Sequence, residues 1–209
     1  MITYLGCIAQ LRLEDIDTAI LTEYGHLHVG SYFLQKGLQS GLPELFRSAH
    51  RAGLTVSLDT GWDPDQRWGE GRLPALLESV DLFLPNETEA CAIAGVDDVT
   101  QAMRDLGKRA RLVAVKRGSE GAMVIHDGQI VHSPGFQIDA VDATGAGDSF
   151  DAGFIFAYII ERQPVAEALR FANACGALCA TGYGGTAAQP TLYQVQDMLK
   201  SDHAQGVQK

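Results

Sequence analysis

Val141-Asp142-Ala143-Thr144-Gly145-Ala146-Gly147-Asp148-Ser149-Phe150 is the stretch on which the reading of this chain turns. Its two glycines and the alanine between them precede an apolar segment, about Gly147–Ile160, whose pattern predicts a helix. Residues this small leave backbone N–H groups uncovered where the helix begins. The unpaired amides and the positive end of the helix dipole then face one point, which makes a hole for an anion. A phosphoryl group in transfer spreads negative charge over its oxygens, and such a hole stabilises that charge without a covalent step. Asp148 stands at the lip, placed to orient and deprotonate an attacking hydroxyl. An aspartate in a first helical turn also serves helix stability alone, so the residues by themselves leave both readings open.

Outward from this stretch, short strand-like runs alternate with helical patterns. Ile2–Ala9, Leu27–Val29, Thr55–Leu58, Asp81–Leu84 and Leu112–Val115 read as strands, the fourth stopped by Pro85. Between them, Leu42, Leu45, Phe46 and Ala49 share one helical face that Gly53 terminates, and Leu73–Val80 and Val99–Leu106 repeat the spacing. Ala122–Ile125 and Gln129–Val131 flank Asp127-Gly128, a hairpin signal. Two more helices follow near Val165–Thr181 and Leu192–Lys200. Such alternation predicts an α/β fold with a mostly parallel sheet and helices on both faces, in which ligands bind beyond the carboxyl ends of the strands. Loops 59–64, 86–89, 117–121 and 142–148 are therefore the candidate site loops.

Composition narrows the chemistry. With 16 Lys+Arg against 26 Asp+Glu, the 209-residue chain carries a formal charge of −10, which disfavours nucleic acid and anionic lipid as partners. The longest apolar run, Ala152–Ile160, is too short for a membrane span. Cys7, Cys91, Cys175 and Cys179 make no Cys-x-x-Cys pair, which fits a reducing cytoplasm. Cys175 and Cys179, spaced i, i+4, read as small apolar residues on a helix face rather than metal ligands. A Walker-type loop is absent, and the Gly145-Ala-Gly147 pair lacks the third glycine of a dinucleotide fingerprint.

Asp-x-Thr-Gly-Ala-Gly-Asp-x-Phe followed by Ala-Gly resembles the signature of the ribokinase-like, or pfkB-type, carbohydrate kinases, and three further segments agree with that family in order. Asn86-Glu87-Thr88-Glu89 resembles its Asn-x-x-Glu motif. Lys116-Arg117-Gly118-Ser119-Glu120-Gly121-Ala122 resembles its strand–turn–strand beside the nucleotide. Phe171-Ala172-Asn173-Ala174 with Gly184-Gly185-Thr186 and Pro190 resembles its adenine-flanking helix and loop. The resemblance implies a three-layer α/β/α sandwich and an ATP-dependent transfer of the γ-phosphate to a hydroxyl of a sugar or sugar-like substrate.

By that resemblance Asp148 is the base and Gly145, Ala146 and Gly147 form the anion hole. Asn86 and Glu89 order Mg²⁺ and phosphate through water, since Mg²⁺ sheds water reluctantly. Asp142 and Thr144 match positions that hold a monovalent cation such as K⁺ in some members. Lys116, Gly118, Asn173 and Gly185 line the nucleotide site. A homodimer is compatible with the family.

Each assignment has a plainer counterpart. Asn86 with Glu89 spells a helix capping box. Lys116 suits a snorkelling strand-end lysine. Arg170 and Asn173 suit a solvent face, and the 182–186 glycines suit a helix-ending turn. His26 and His28, on one strand face without a carboxylate, suit a structural pair. Trp62 and Trp68 suit packing under a loop.

Against the family, the chain is expected to be one partial domain over 1–209, N-terminally truncated. By the resemblance, the part expected to be missing is the one that supplies a strand-borne Asp, a Gly-Gly motif, most sugar contacts and a β lid. In addition, Leu58-Asp59-Thr60-Gly61 replaces the family's frequent Asp-x-Asn. A truncated or mis-started product, or a nucleotide-binding or regulatory remnant without turnover, is thus the alternative reading. A kinase of a nucleoside or vitamin alcohol is a third.

Overall fold

A computed structural model describes residues 5–68 and 70–206. Its strands are β1 (His26–Val29), β2 (Thr55–Leu58), β3 (Leu82–Phe83), β4 (Leu112–Lys116), β5 (Ala122–His126) and β6 (Gln129–Ser133), in that sheet order. The helices are α1 (Leu42–Arg51), α2 (Leu73–Leu77), α3 (Glu87–Ala94), α4 (Val99–Leu106), α5 (Ala146–Phe154), α6 (Val165–Cys179) and α7 (Leu192–Gly206). The chain divides into two compact units, Met1–Val115 with Ile125–Gln129, and Lys116–Val124 with Ile130–Lys209.

In the first unit β1 to β4 pair in parallel, with His26 opposite Thr55, Ser57 opposite Leu82 and Leu82 opposite Leu112. Helical crossovers between them account for the parallel direction. Helix α1 forms as its spacing predicts. Pro43 stands in its first turn, Leu42, Leu45, Phe46 and Ala49 are buried, and Gly53 turns the chain away at φ +86°. Each of the three large side chains on that face contributes about 1.5–3 kcal/mol by leaving water. In α4 the Asp98 carboxylate accepts from the Gln101 N–H at 2.7 Å, and Ala102, Met103 and Leu106 are buried. The expected 81–84 strand is Leu82–Phe83, flanked by backbone bonds from the Asp81 N–H to the Val56 carbonyl at 3.0 Å and from the Leu84 N–H to the Leu58 carbonyl at 2.9 Å.

The amino-terminal strand expectation is corrected. Met1–Tyr4 lie outside the described residues, and Gly6–Ala9 is a 3-10 helix rather than a strand. Its donors are satisfied locally, Ile8 N–H on the Leu5 carbonyl and Gln10 N–H on the Cys7 carbonyl. Two more 3-10 turns, Leu13–Asp15 and Thr18–Glu23, lead into β1. Apolar content alone does not separate such turns from a buried strand.

The histidine pair has a structural explanation. His26 Nδ1 lies 2.7 Å from Thr55 Oγ1 and His26 Nε2 lies 2.8 Å from Ser57 Oγ, while His28 Nδ1 lies 2.7 Å from the same Ser57 oxygen. Burial first, and the neighbouring His28 second, lower the His26 pKa from 6.5 to about 4. Unfolding restores the ordinary value, so the unfolded chain binds the extra proton first. This contribution to stability is complete above pH 6.5 and is lost as the pH falls to about 4. His26→Gln should flatten the fall in urea midpoint over that interval; an unchanged pH slope would remove His26 as its source.

In the second unit α5 packs on α6 through small residues. A Cβ on Gly153 would stand 2.7 Å from Cys175 Sγ, and one on Gly176 would stand 3.1 Å from the Ala146 carbonyl oxygen. Cys175 and Cys179 are buried, as apolar residues of a helix face should be. Burial pushes the Cys175 thiol up to about 12, which leaves it inert. The expected 147–160 helix is instead α5 followed by a π-helical turn, Ile155–Ile160, with the Glu161 N–H reaching back to the Phe156 carbonyl at 2.9 Å. The wider turn breaks the 3.6-residue period, and Ala157 is its one buried residue. At the hairpin tip Asp127 and Gly128 both have positive φ, +50° and +76°, as a tight primed turn requires.

Candidate functional site

The opening of α5 is built by the glycines around it. Gly145 caps the helix at φ +77°, a conformation that L side chains rarely adopt. A Cβ on Gly145 would collide with the Gly185 carbonyl oxygen, and one on Gly185 would press on Thr144 Cγ2 at 3.3 Å. The Gly184-Gly185 turn therefore lies directly on the loop before α5. Asp142 ties the two together. Its Oδ1 accepts from the Thr144 N–H at 2.9 Å and the Thr144 hydroxyl at 2.7 Å, and its Oδ2 accepts from the Gly184 N–H at 3.0 Å. The hydrogen bonds from Thr144, then the one from Gly184, hold the Asp142 carboxyl below the usual range. Gly145→Ala combines left-handed strain of about 1–2 kcal/mol with a backbone collision. It should lower the denaturation midpoint clearly, where Gly184→Ala, which has open space at the same kind of φ, carries the strain alone. Equal losses in the two variants would refute the collision.

The Ala146 N–H donates to the Ala143 carbonyl at 3.1 Å, and Ser149 N–H closes the first helical bond on the Gly145 carbonyl at 2.9 Å. The amides of Gly147 and Asp148 have no carbonyl one turn back within α5 to accept them. They are the donors the loop presents, and the Ala146 amide is shared with a turn. Asp148 itself is exposed in this first turn.

A cavity of about 300 Å³ adjoins the same turn. Ala146, Gly147 and Phe150 form one side of it, with Lys116 and the Gly118–Gly121 turn, and Asn173, Gly176 and Phe136 also line it. Lys116 Nζ sits 3.7 Å from where a Gly147 Cβ would be, and it pairs with both Asp151 oxygens at 3.0 and 3.1 Å. Lys116 is thus no snorkelling lysine. Its side chain is 12% exposed and that of Asp151 only 3%. Asn173 does not face solvent either. It is buried, and its Nδ2 donates to the carbonyls of Ser133 and Pro134 at 3.0 and 3.3 Å. That bond holds the 133–140 segment over the cavity, and Arg170 stacks on Phe136 with 5.8 Å from guanidinium carbon to ring centre. Gly121 and Gly135 let the two walls touch, since a Cβ on Gly121 would overlap the Ser133 carbonyl.

Sequence reasoning missed Asp151 and Phe136. A charged residue three positions after Asp148 on an otherwise apolar helix was the one available signal for Asp151. Phe136 sits in an irregular segment that carries no period.

Asn86 and Glu89 belong to the first unit, where they make the capping box of α3. The Glu89 N–H donates to Asn86 Oδ1 at 2.9 Å and the Asn86 N–H donates to Glu89 Oε2 at 3.0 Å. Asn86→Ala should cost about 1 kcal/mol in urea unfolding; an unchanged midpoint would show the box to be dispensable. Among the described residues no three His, Cys, Asp or Glu groups cluster as a complete metal cage. Nor is any described helix long and apolar enough to cross a membrane.

A family model described as pfkB family carbohydrate kinase matches residues 1–192. The ATP-dependent ribose-1-phosphate kinase of Halopiger xanaduensis is 38% identical over 187 residues, covering 89% of this chain and 58% of that one. The structure of Arabidopsis thaliana ribokinase complexed with ribose and ATP superimposes with a TM-score of 0.76 at 28% identity, covering 91% of this chain and 60% of that one. A double mutant of Vibrio cholerae fructokinase, solved with fructose, ADP and potassium ion, gives a TM-score of 0.77 at 24% identity, covering 90% and 64%. This last likeness speaks for the fold alone. The chain spans 58–64% of the length of these three proteins.

Proposed function

The chain belongs to the pfkB family of carbohydrate kinases, and on that premise we propose that it binds ATP in the cavity beside α5 and passes the γ-phosphoryl group to a sugar hydroxyl held near Asp148. The observation that carries this reading is one helix turn. The opening amides of α5 and the Lys116 ammonium meet at Gly147, and the exposed Asp148 carboxylate is the next residue of the same turn.

Asp148 takes the hydroxyl proton as the sugar oxygen bonds to the γ-phosphorus. The bond from that phosphorus to the β–γ bridging oxygen breaks, and ADP leaves with the electron pair. The Gly147 and Asp148 amides donate to the phosphoryl oxygens, where charge grows in the transition state. One such donor is worth about 10²–10³ in rate. Gly118 lets its turn approach the nucleotide, where a Cβ would meet open space. Gly185 acts from behind, holding Gly145 in its conformation, and Asn173 acts by fixing the 133–140 wall.

Asn86 and Glu89 keep the Mg²⁺-ordering role through water, since Glu89 Oε2 and Asn86 Oδ1 already accept backbone hydrogens. Mg²⁺ supplies charge neutralisation on the phosphates. A monovalent cation at the 142–144 loop would take Asp142 Oδ2, which accepts one hydrogen bond, from Gly184, where Oδ1 accepts two. Four free cysteines suit a cytoplasmic protein.

Ribose phosphate, ribose and fructose, named for the relatives, define the first acceptors to try. The test is a calorimetric titration of Mg·ATP into the purified chain. Saturable binding with one site per chain is expected. A folded chain that takes up no Mg·ATP refutes the reading. A second reading is a nucleotide-binding module without its own sugar turnover. Binding of Mg·ATP without phosphorylation of any of those acceptors would select it.

A further inference from the structure

Arg170 suits a solvent face by its place in the sequence, yet its side chain is only 20% exposed. Its Nη2 donates to the Leu199 carbonyl at 3.3 Å and to Asp202 Oδ2 at 2.6 Å, both on α7. Its guanidinium carbon lies over the Phe136 ring, 5.8 Å from the centre. One side chain of α6 thus joins α7 to the irregular segment beside the cavity.

That segment depends on such anchors. Residues 134–140 belong to no helix or strand, so no ladder of their own fixes them. Asn173, three positions after Arg170 and on the same face of α6, holds the carbonyls of Ser133 and Pro134. The Phe136 ring lies beyond those two bonds, and Arg170 is set against it. A planar guanidinium suits this place, since it stacks on a ring while its N–H groups reach a carbonyl and a carboxylate. The Asp202 side chain is 53% exposed, so the ion pair adds little stability. Its effect is to direct the guanidinium.

Phe136 lines the cavity proposed for the nucleotide and Arg170 does not, so the guanidinium reaches a bound nucleotide only through the ring. The cavity is charged at Lys116 and apolar along Phe136, Ile138 and Ala177. Phosphates suit the first end and a flat base the second.

We propose that Arg170 is a positioning residue for the nucleotide base. It sets the Phe136 ring, and α7 sets Arg170 through Leu199 and Asp202. The proposal rests on the kinase reading above. Affinity for ATP then depends on α7 residues that do not border the cavity.

The test measures Mg·ATP affinity by calorimetry on the intact chain and its variants, with urea midpoints to show that each is folded. Arg170→Ala should weaken Mg·ATP roughly three- to tenfold, the worth of a partly desolvated cation–π contact. Asp202→Lys sets a repelling charge where the anchor stood and should weaken it at least twofold from an exposed position. Phe136→Leu keeps an apolar wall without a ring, and in that background Arg170→Ala should change the affinity by less than twofold. Inorganic triphosphate carries no base, and its uptake with Mg²⁺ should be the same in all of these proteins. A merely structural role for Arg170 would weaken both ligands and would persist without the ring; either result overturns the proposal. So does an Arg170→Ala or an Asp202→Lys variant with wild-type Mg·ATP affinity. Should Arg170→Ala fail to fold, Asp202→Lys and its triphosphate comparison decide the matter. In each of these cases the kinase reading stands. A wild type that binds no Mg·ATP overturns the kinase reading and this proposal with it.

Discussion

Asp148→Asn is expected to lower phosphoryl transfer by about 10²–10⁴ while leaving Mg·ATP affinity within about twofold, the range typical of losing a general base. The asymmetry follows from geometry. The carboxylate is exposed at the first turn of α5 and borders a different cavity from the one lined by Lys116 and Gly147, which is the proposed nucleotide site. The amides proposed to receive phosphate belong to the backbone and survive the substitution. Asparagine keeps the volume and can still accept a hydrogen bond, but it cannot take the proton. Steady-state kinetics with ribose and fructose beside calorimetry on both proteins would check it. A variant that keeps most of its kcat removes Asp148 from the role of base. A variant that loses Mg·ATP as well would make the carboxylate part of the nucleotide site.

Lys116→Met should destabilise the chain by about 3–5 kcal/mol, the usual loss when one partner of a buried ion pair is removed. Asp151 is 3% exposed and would remain as a charge without its ammonium, between α5 and the end of β4. For a chain of this length that loss lowers Tm by roughly 6–20 °C. The double variant Lys116→Met/Asp151→Leu should recover most of it, because a buried pair contributes little net stability over an apolar replacement of like volume. Urea midpoints of the two variants decide the matter. A single variant as stable as the wild type would show that water reaches Asp151. Mg·ATP affinity should fall in both, since both lose the ammonium beside Gly147.

The parts of this protein legible in its sequence are those fixed by neighbours a few residues apart. Helices α1 and α4 appeared at their predicted places because burial every three or four residues is a local pattern. The hairpin tip followed from Asp127-Gly128, whose backbone needs positive φ twice. The loop before α5 was legible for the same reason. Its conformation depends on residues 142–148, and the Asp142–Thr144 bonds close within it.

Three-dimensional structure decided what no local window contains. Lys116 meets Asp151 across 35 positions, and Asn173 meets Ser133 across 40. Nothing in either neighbourhood encodes its partner. Gly6–Ala9, read as part of a strand from apolar content, is a 3-10 turn, because strand geometry requires a neighbour's hydrogen bonds while this turn satisfies its own. The same division separates the family from the site. Sequence alone determined the signature, the parallel α/β order and the candidate base, all written in short runs of residues. Only the tertiary structure put Gly147 on one cavity and its neighbour Asp148 on another, because successive residues of a helix point about 100° apart and the long-range packing of α5 on α6 decides what each direction meets.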